Sequence, residues 1–475
     1  MLTQDAVRRP DAPGRARQSA SRPDVARLRR QRARRANTLE GALWVSGIVA
    51  GALAVPMMAA VPPSGLGDIA TDLGILTGLI GTDLILVMLI LAARVPIVDR
   101  TIGHDRAIAV HRSMSKPVLY LLLAHAVLLL IGYGSSQGVD PVAEIGSMLA
   151  IPDLPLAFLG LGAIVAVVVT SVVAVRRRFS YEAWHLIHLL GYAAVLVAVP
   201  HELSVGGILS SGSIQRAYWI SLYIVAFGAV IAFRFVEPLL TSIRHRIVVD
   251  RVEEVAPGVT SLYLRGHDLR SLGARGGQFF VWRFWTARTW WHAHPLSLSM
   301  TPAGDIARVT VRSVGAGTRA ISAVKPGSRV SIEGPYGLFT DLARTSPDLA
   351  IIAAGIGVTP VRSMLQEAPL RRGETTVLLR ASADADSALW DETIDLAAST
   401  GADVYTMVGP RATRGPRWMS DADARRGVTL RSVFPRLATS DLYICGPGAW
   451  MEAVEADARA NGLADHQIHT ERFEW

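Results

Sequence analysis

Cysteine is almost missing from this chain: its 475 residues include Cys445 and no other. One thiol cannot make an internal disulfide, a Cys₄ zinc site or a thiolate-held iron–sulfur cluster, so any redox group must use other ligands. Charge is also scarce, at 19% Asp, Glu, Lys and Arg against 50% hydrophobic residues, with a mean hydropathy of +0.32. Soluble domains carry about 25% charged residues, which points away from a wholly soluble protein. The net charge of +8 does not describe a basic folded surface, because residues 1–35 hold eleven arginines against three aspartates and supply the whole excess. No basic face is left on the folded part to bind nucleic acid. The tail, residues 1–40, is punctuated by Pro and Ser and is too long and arginine-rich for a signal peptide. It reads as a disordered cytoplasmic segment whose charge sets membrane topology.

What the chain has in quantity is long apolar runs. Six candidates, 42–62, 72–94, 117–134, 154–175, 183–200 and 217–236, are long enough for a hydrocarbon core of about 30 Å. Arg and Lys gather in alternate connections: Arg94 to Lys116, Arg176 to Arg178, and Arg244 with Arg246. The positive-inside rule then predicts a multi-pass cell-membrane protein, spanning within 41–240, with both termini cytoplasmic.

Past residue 243 the texture changes. Short β-rich runs such as "GGQFFVWRFW", "ARVTVRSV" and "GSRVSIEGPYG" predict an antiparallel β-barrel over 243–345. From 346 to 475 strands alternate with helices ("DLAIIAAG", "TTVLLR", "ADVYTMVG", "DLYICG"), which predicts a doubly wound α/β nucleotide-binding domain. The fold class expected is therefore multi-domain: a six-helix bundle, a barrel and a doubly wound sheet. No internal repeat is present, and 410–428 reads as a polar, Arg-rich loop.

Ionisable residues inside spans are costly and tend to be functional. His111 and His125 are 14 residues apart at the third span, about 21 Å of helical rise and close to one face. His188 and His201 are 13 apart at the fifth, about 19.5 Å. Both helices run outward, so first faces first and second faces second. Two imidazole pairs at matched heights predict two b-type haems, one near each leaflet. Thirteen residues leave the second pair about 140° apart on an ideal helix, and Pro200 is expected to end or distort the helix there. A single histidine would read as an interhelical hydrogen bond; His104 and His185 are read that way, as a loop residue and an interface residue. Arg112 reads as a topology charge or a propionate partner.

Several motifs in order give the chain a family likeness: "HR" (111–112) with His125, "YEAWHLIH" (181–188) with His201, "HPLS" (294–297), "EGPYG" (333–337), "GIGVTP" (355–360), "CGP" (445–447) and the terminal "ERFEW". From about residue 40 onward the chain resembles the ferric reductase and NADPH oxidase superfamily, a haem-bearing membrane domain fused to a ferredoxin-NADP reductase-like module. The resemblance implies that His294 and Pro295 shape the flavin strand and that Ser297 hydrogen-bonds the isoalloxazine. The first position of that motif is usually Arg in soluble relatives and is His294 here. By the same likeness "SVGAGTRAI" (313–321) is the flavin-phosphate segment, with Gly315, Gly317 and Thr318 opening a helix and Arg312 assisting. Gly355, Gly357, Thr359 and Pro360 correspond to the nicotinamide-nucleotide turn, and Cys445, Gly446 and Pro447 to the strand end beside the nicotinamide. Arg380, with Arg411 and Arg414, favours NADPH over NADH through a 2′-phosphate. Phe473 or Trp475 stands where such reductases stack an aromatic on the flavin; a core aromatic is the plain alternative.

The function expected is electron transfer from cytoplasmic NAD(P)H through FAD and two b-type haems (His111 with His188, then His125 with His201) to an acceptor beyond the membrane. Ferric chelates and dioxygen both qualify as the small-molecule acceptor, since Asp140, Glu144 and Asp153 are scattered over the outer loops. Alternatives are a relay that donates to a partner protein and a flavin reductase anchored by a bundle without haem. No calcium-loop pattern and no activation segment is recognisable.

Overall fold

A computed structural model describes residues 25–60, 62–172, 175, 178–179, 181–204, 207–209, 211–370 and 372–473. The apolar region is helical: α1 (Val25–Ala52), α2 (Leu66–Ala92), α3 (His104–Gln137), α4 (Leu154–Ser171), α5 (Tyr181–Ser204) and α6 (Ile214–His245). Among the described residues five helices, α2 to α6 (α3 counted from Arg106 and α5 from Ala183), are long and apolar enough to cross a membrane. The first expected span, 42–62, falls on the end of α1 and a short helix, Val55–Ala60. The basic stretch departs from expectation, since α1 begins at Val25 inside the tail expected to be disordered. From Val25 to Leu39 it contains neither Pro nor Gly and is rich in Ala, Arg and Leu, all good helix formers. Pro200 also departs from expectation: α5 continues through it to Ser204.

The last membrane helix runs to His245, past the boundary expected at 240, and delivers the chain directly into β1 (Val248–Ala256). A six-stranded antiparallel sheet follows, with β2 (Val259–Arg265), β3 (Phe279–Phe284), β4 (His294–Ala303), β5 (Ile306–Arg312) and β6 (Val330–Tyr336). Its order is β1-β2-β5-β4-β3-β6. Backbone bonds join the two outer strands as well, from Val249 N to Ser328 O and from Val330 N to Ile247 O, each 2.9 Å. Leu262, Leu264, Phe280, Trp282, Phe284, Leu298 and Val309 fill the interior.

The second sheet is parallel, in the order β11-β10-β7-β8-β9: β7 (Asp348–Ala354), β8 (Thr375–Ala381), β9 (Asp403–Val408), β10 (Ser440–Cys445) and β11 (Ile468–Glu471). The largely apolar runs 349–354 of β7 and 442–445 of β10 are what a sheet buried on both faces requires. The stretch 410–428 is not a wholly polar loop: Trp418 and Met419 are fully buried in the core beside β10. The two sheets are tied by a charge network. Arg308, on β5, bonds Glu392 at 2.8 Å, and Arg362 bonds Glu392 at 3.0 Å and the Ser299 carbonyl at 3.0 Å.

Candidate functional site

The membrane region brings its four expected histidines together in pairs. The His111 and His188 rings lie with centroids 6.1 Å apart. His125 and His201 line one cavity of about 230 Å³ between α2, α3, α4 and α5. The inner pair therefore meets ring to ring, while the outer two histidines share the wall of one cavity.

Each ring nitrogen Nδ1 is engaged, and that settles the tautomer. His111 Nδ1 meets the Met88 carbonyl at 3.1 Å, His125 Nδ1 the Gly74 carbonyl at 2.8 Å, and His201 Nδ1 the Ala198 carbonyl at 2.5 Å. A carbonyl only accepts, so these rings carry their proton on Nδ1. His188 Nδ1 lies 3.4 Å from Ser171 Oγ, which donates its own proton to the Val167 carbonyl and accepts from Trp184 Nε1 at 3.2 Å. With its one donor spent, Ser171 can only accept from His188 as well. All four imidazoles are left with a bare Nε2, the form a metal needs and the outer-shell arrangement that fixes ligating histidines.

These pairs fit haem better than a protein-only metal site. Among the described residues no three His, Cys, Asp or Glu converge on one point. Two imidazoles need a macrocycle to complete the coordination of iron. With ring centroids 6.1 Å apart, His111 and His188 would leave room for one iron ion between them. Space is made for the outer pair by Gly78: a Cβ there would lie 2.3 Å from His125 Nδ1.

Sequence reasoning missed the carboxylates of this region. Glu202 lines the outer cavity, and Tyr223 Oη shares its one proton between the two carboxylate oxygens, each 3.0 Å away. Asp83, fully buried on α2, accepts from Ser46 at 2.7 Å and Tyr218 at 3.1 Å. Of the expected outer acids, Asp140 caps the helix Pro141–Leu149, and Glu144 is buried against Gln137 at 3.1 Å. His104, expected in a loop, opens α3, bonds Asp99 at 3.3 Å and stacks on Tyr336 of β6.

In the antiparallel sheet, β3 pairs Phe279 with Ser297 and Trp282 with His294. Ser297 is buried, and its Oγ has no partner among the described residues. An orphaned buried hydroxyl costs about 1–3 kcal/mol, so this one asks for a ligand. His294 stacks on His292 with centroids 4.6 Å apart. Burial, then the neighbouring charges of His292 and Arg283, push its pKa down to about 4. Pro295 follows it on β4, opposite Val281. Gly317 closes on the ring, since a Cβ there would meet His294 Cε1 at 2.8 Å. Gly315 caps the helix Ala316–Ser322, and Thr318 Oγ1 accepts from the Val314 and Gly315 amides, both at 3.0 Å. Arg312 is turned to Asp386 at 2.7 Å, an ion pair between the two sheets.

At the C-terminal edge of the parallel sheet two turns meet. Gly355 has φ +55, and Gly357 packs so tightly on β10 that a Cβ would lie 2.3 Å from the Cys445 carbonyl. Thr359 and Pro360 are buried at the start of the helix Val358–Glu367, and Gly446 and Pro447 lead into the helix Gly448–Ala460. Cys445 is fully buried; burial, then the charge of Glu471, raises its thiol pKa well above the ordinary range. Glu471 pairs with Cys445 across β10–β11 and was not singled out from the sequence. Phe473 packs against the core around Cys445, whereas Trp475 lies outside the described residues. Arg380 is buried, with its guanidinium on the carbonyls of Ala381 and Gly409 rather than turned outward. Arg411 and Arg414 are exposed.

Comparison with known proteins agrees with this division. Residues 77–199 match the family described as Ferric reductase like transmembrane component, and residues 351–456 match Oxidoreductase NAD-binding domain. The first match takes in His111, His125 and His188 and stops short of His201. The chain is 33% identical over 189 residues to Ferredoxin--NADP reductase B of Sorangium cellulosum, covering 37% of this chain and 73% of that one. It is 28% identical over 228 residues to the ferredoxin reductase component of 3-ketosteroid-9-alpha-monooxygenase from Rhodococcus rhodochrous, with 47% of this chain covered. Of that relative's own length it spans 62%. Among solved structures it is similar to the flavohem-like FAD/NAD binding domain of nitric oxide dioxygenase from Vibrio cholerae, with 23% identity, 48% of this chain and 97% of that one covered, and a TM-score of 0.39.

Proposed function

Because the chain belongs to the NAD(P)H-dependent oxidoreductases that join a ferric reductase-like membrane domain to a ferredoxin–NADP reductase module, we propose that it moves electrons from cytoplasmic NAD(P)H through FAD and two b-type haems to an acceptor beyond the membrane. The observation that carries this reading is the set of four imidazoles, His111, His188, His125 and His201, each with Nδ1 engaged and Nε2 free. Flavin takes two electrons from a nicotinamide and gives them up singly, and haem iron takes one at a time.

The chain's own residues have distinct tasks in this scheme. His111 and His188 hold the inner group, and His125 and His201 the outer one. Met88, Gly74, Ser171 and Ala198 fix the rings through Nδ1. Ser297 offers its free hydroxyl to the flavin ring, and His294, Pro295, Gly315, Gly317 and Thr318 shape the cradle, in a sheet whose joined outer strands favour the barrel reading. The turns at Gly355–Pro360 and Cys445–Pro447 receive the nicotinamide nucleotide. Phe473, packed against the core around Cys445, is the aromatic within the described residues that would shield the flavin ring until nicotinamide displaces it. With Arg380 turned inward, a preference for NADPH rests on exposed Arg411 and Arg414. The alternation of charge in the connections supports a reading with both termini and both sheets in the cytoplasm and six spans in all.

The acceptor is a ferric chelate or dioxygen. The test is anaerobic: NADPH is added to the purified protein, haem absorbance is followed, and air or a ferric chelate is then admitted. Haem reduction is expected. Fast reoxidation by chelate marks an iron reductase, and fast reoxidation by air with superoxide marks an oxidase. A protein without haem absorbance refutes the reading and leaves an anchored flavin reductase.

A further inference from the structure

Two arginines mark one level at the end of the membrane helices nearest the antiparallel sheet. Arg94, just past the end of α2, bonds the Glu333 carboxylate of β6, and Arg234 of α6 reaches the same oxygen at 3.5 Å. From Ile214, where α6 begins, to Arg234 the helix rises about 30 Å, the thickness of a hydrocarbon core. The span is therefore complete at Arg234. Yet α6 continues to His245, about 16 Å further.

The extension is not built for water. Val236, Leu239, Leu240 and Ile243 recur at the spacing that lines up one face of a helix, and Phe235 stands beside them. All five are exposed, Leu239 and Leu240 by 60% each. The opposite face is covered: Glu237–His245 packs on β6, and His245 is buried with Nδ1 2.7 Å from the His267 carbonyl. One side thus carries the antiparallel sheet, and the other is a bare apolar stripe. Single apolar residues on a surface are ordinary, but a contiguous stripe marks an interaction face. This one continues a membrane helix, so the nearest apolar partner is the bilayer itself. The helix also widens to a π turn over Ala232–Val236, with Pro238 just beyond, and both are features at which helices bend. A straight extension along the membrane normal would lift the stripe into water, whereas a bend at this level keeps it on lipid. Arg244 and Arg246 are exposed at its end, with Arg244 3.5 Å from Asp268, where long cationic side chains can reach lipid phosphates.

We propose that residues 235–245 form an interfacial helix. They lie in the headgroup layer of the leaflet on the side of the sheets, with Phe235, Val236, Leu239, Leu240 and Ile243 at the acyl boundary. Their other face carries β6, so the flavin sheet rests on the bilayer instead of standing off it. The inference needs α6 to span a membrane and does not depend on haem.

The test uses the full-length protein in nanodiscs of phosphatidylcholine and phosphatidylglycerol. The photo-crosslinker p-benzoylphenylalanine replaces Leu240, Ile243, Ile224 or Tyr405, one at a time, and FAD content checks that each variant is folded. Ile224 is exposed within the span of α6, and Tyr405 is exposed on β9 of the parallel sheet. After illumination, mass spectrometry should find lipid adducts at 240, 243 and 224 and none at 405. Leu239→Glu combined with Leu240→Glu should lower the adduct yield at 243 several-fold and leave the rate of FAD reduction by NADPH unchanged. Adducts at 224 without any at 240 and 243 would overturn the proposal. So would crosslinks from 240 or 243 to a second copy or to another protein, and so would an undiminished yield at 243 in the double variant. Absence of lipid adducts at 224 as well would overturn the span together with its extension.

Discussion

Gly78→Ala tests the outer histidine pair with one methyl group. A Cβ at this position would sit 2.3 Å from His125 Nδ1 and 2.7 Å from its Cε1. Carbon and its neighbours settle at about 3.5–4.0 Å, so the ring must withdraw by roughly 1 Å. The 2.8 Å bond from His125 Nδ1 to the Gly74 carbonyl then stretches past hydrogen-bonding range. Crowding of this kind costs about 1–3 kcal/mol, and loss of an orienting partner weakens metal binding by about 10–100-fold. The outer haem should therefore be lost while the inner haem and FAD remain. The assay is the haem-to-flavin ratio of the purified variant, from the pyridine haemochrome and the flavin released on denaturation. A fall to about half the parent ratio is expected. Gly162→Ala is the control, because a Cβ there meets nothing within 4 Å. A full haem complement in Gly78→Ala, with an unchanged spectrum, would refute the assignment of His125.

Two further outcomes follow from the soluble sheets. Ser297→Ala removes a buried hydroxyl whose one proposed partner is the flavin, so the flavin-release temperature should fall, while reduction of FAD by NADPH falls on the order of 10²-fold; an unchanged rate would take Ser297 out of the site. His294, with its pKa pushed down to about 4 by burial and then by His292 and Arg283, makes stability depend on acid. Above the unfolded value of about 6.5 both states hold a neutral ring and the effect vanishes. As pH falls below that, the unfolded chain takes up the proton first, and stability is lost until the folded ring also protonates near 4. The flavin-release temperature should drop between those values and drop less in His294→Gln; equal slopes would refute the linkage.

Much of this architecture is local and could be read from the chain. The apolar runs of α2 to α6 carry their own length, and the strands of both sheets show their period or their uniform apolarity. The spacing of His111 and His125 was legible because a 14-residue interval returns close to one helix face whatever surrounds it, whereas the 13 residues from His188 to His201 do not. What was not legible depends on packing between distant segments. Nothing near His188 announces that Ser171 will accept from it, and nothing near His125 announces the Gly74 carbonyl. Arg380 sits at a strand end where a phosphate-binding arginine would, yet its guanidinium turns to the carbonyls of neighbouring strands. Trp418 and Met419 stand in a stretch whose arginines and prolines hide two core residues. Asp83 looks like a blemish in an apolar run until Ser46 and Tyr218 arrive from other helices.

The burial of Cys445 has a practical side. The chain has one thiol, at the closed end of β10, with no surface exposed and Phe473 packed against its surroundings. Its pKa is raised, so little of the reactive thiolate exists at neutral pH. The chain's only sulfhydryl is thus kept out of reach of dissolved oxidants. To an alkylating reagent the folded molecule is blank. A cysteine introduced at any exposed position becomes the single handle on which a spin label, a fluorophore or a crosslinker can be hung.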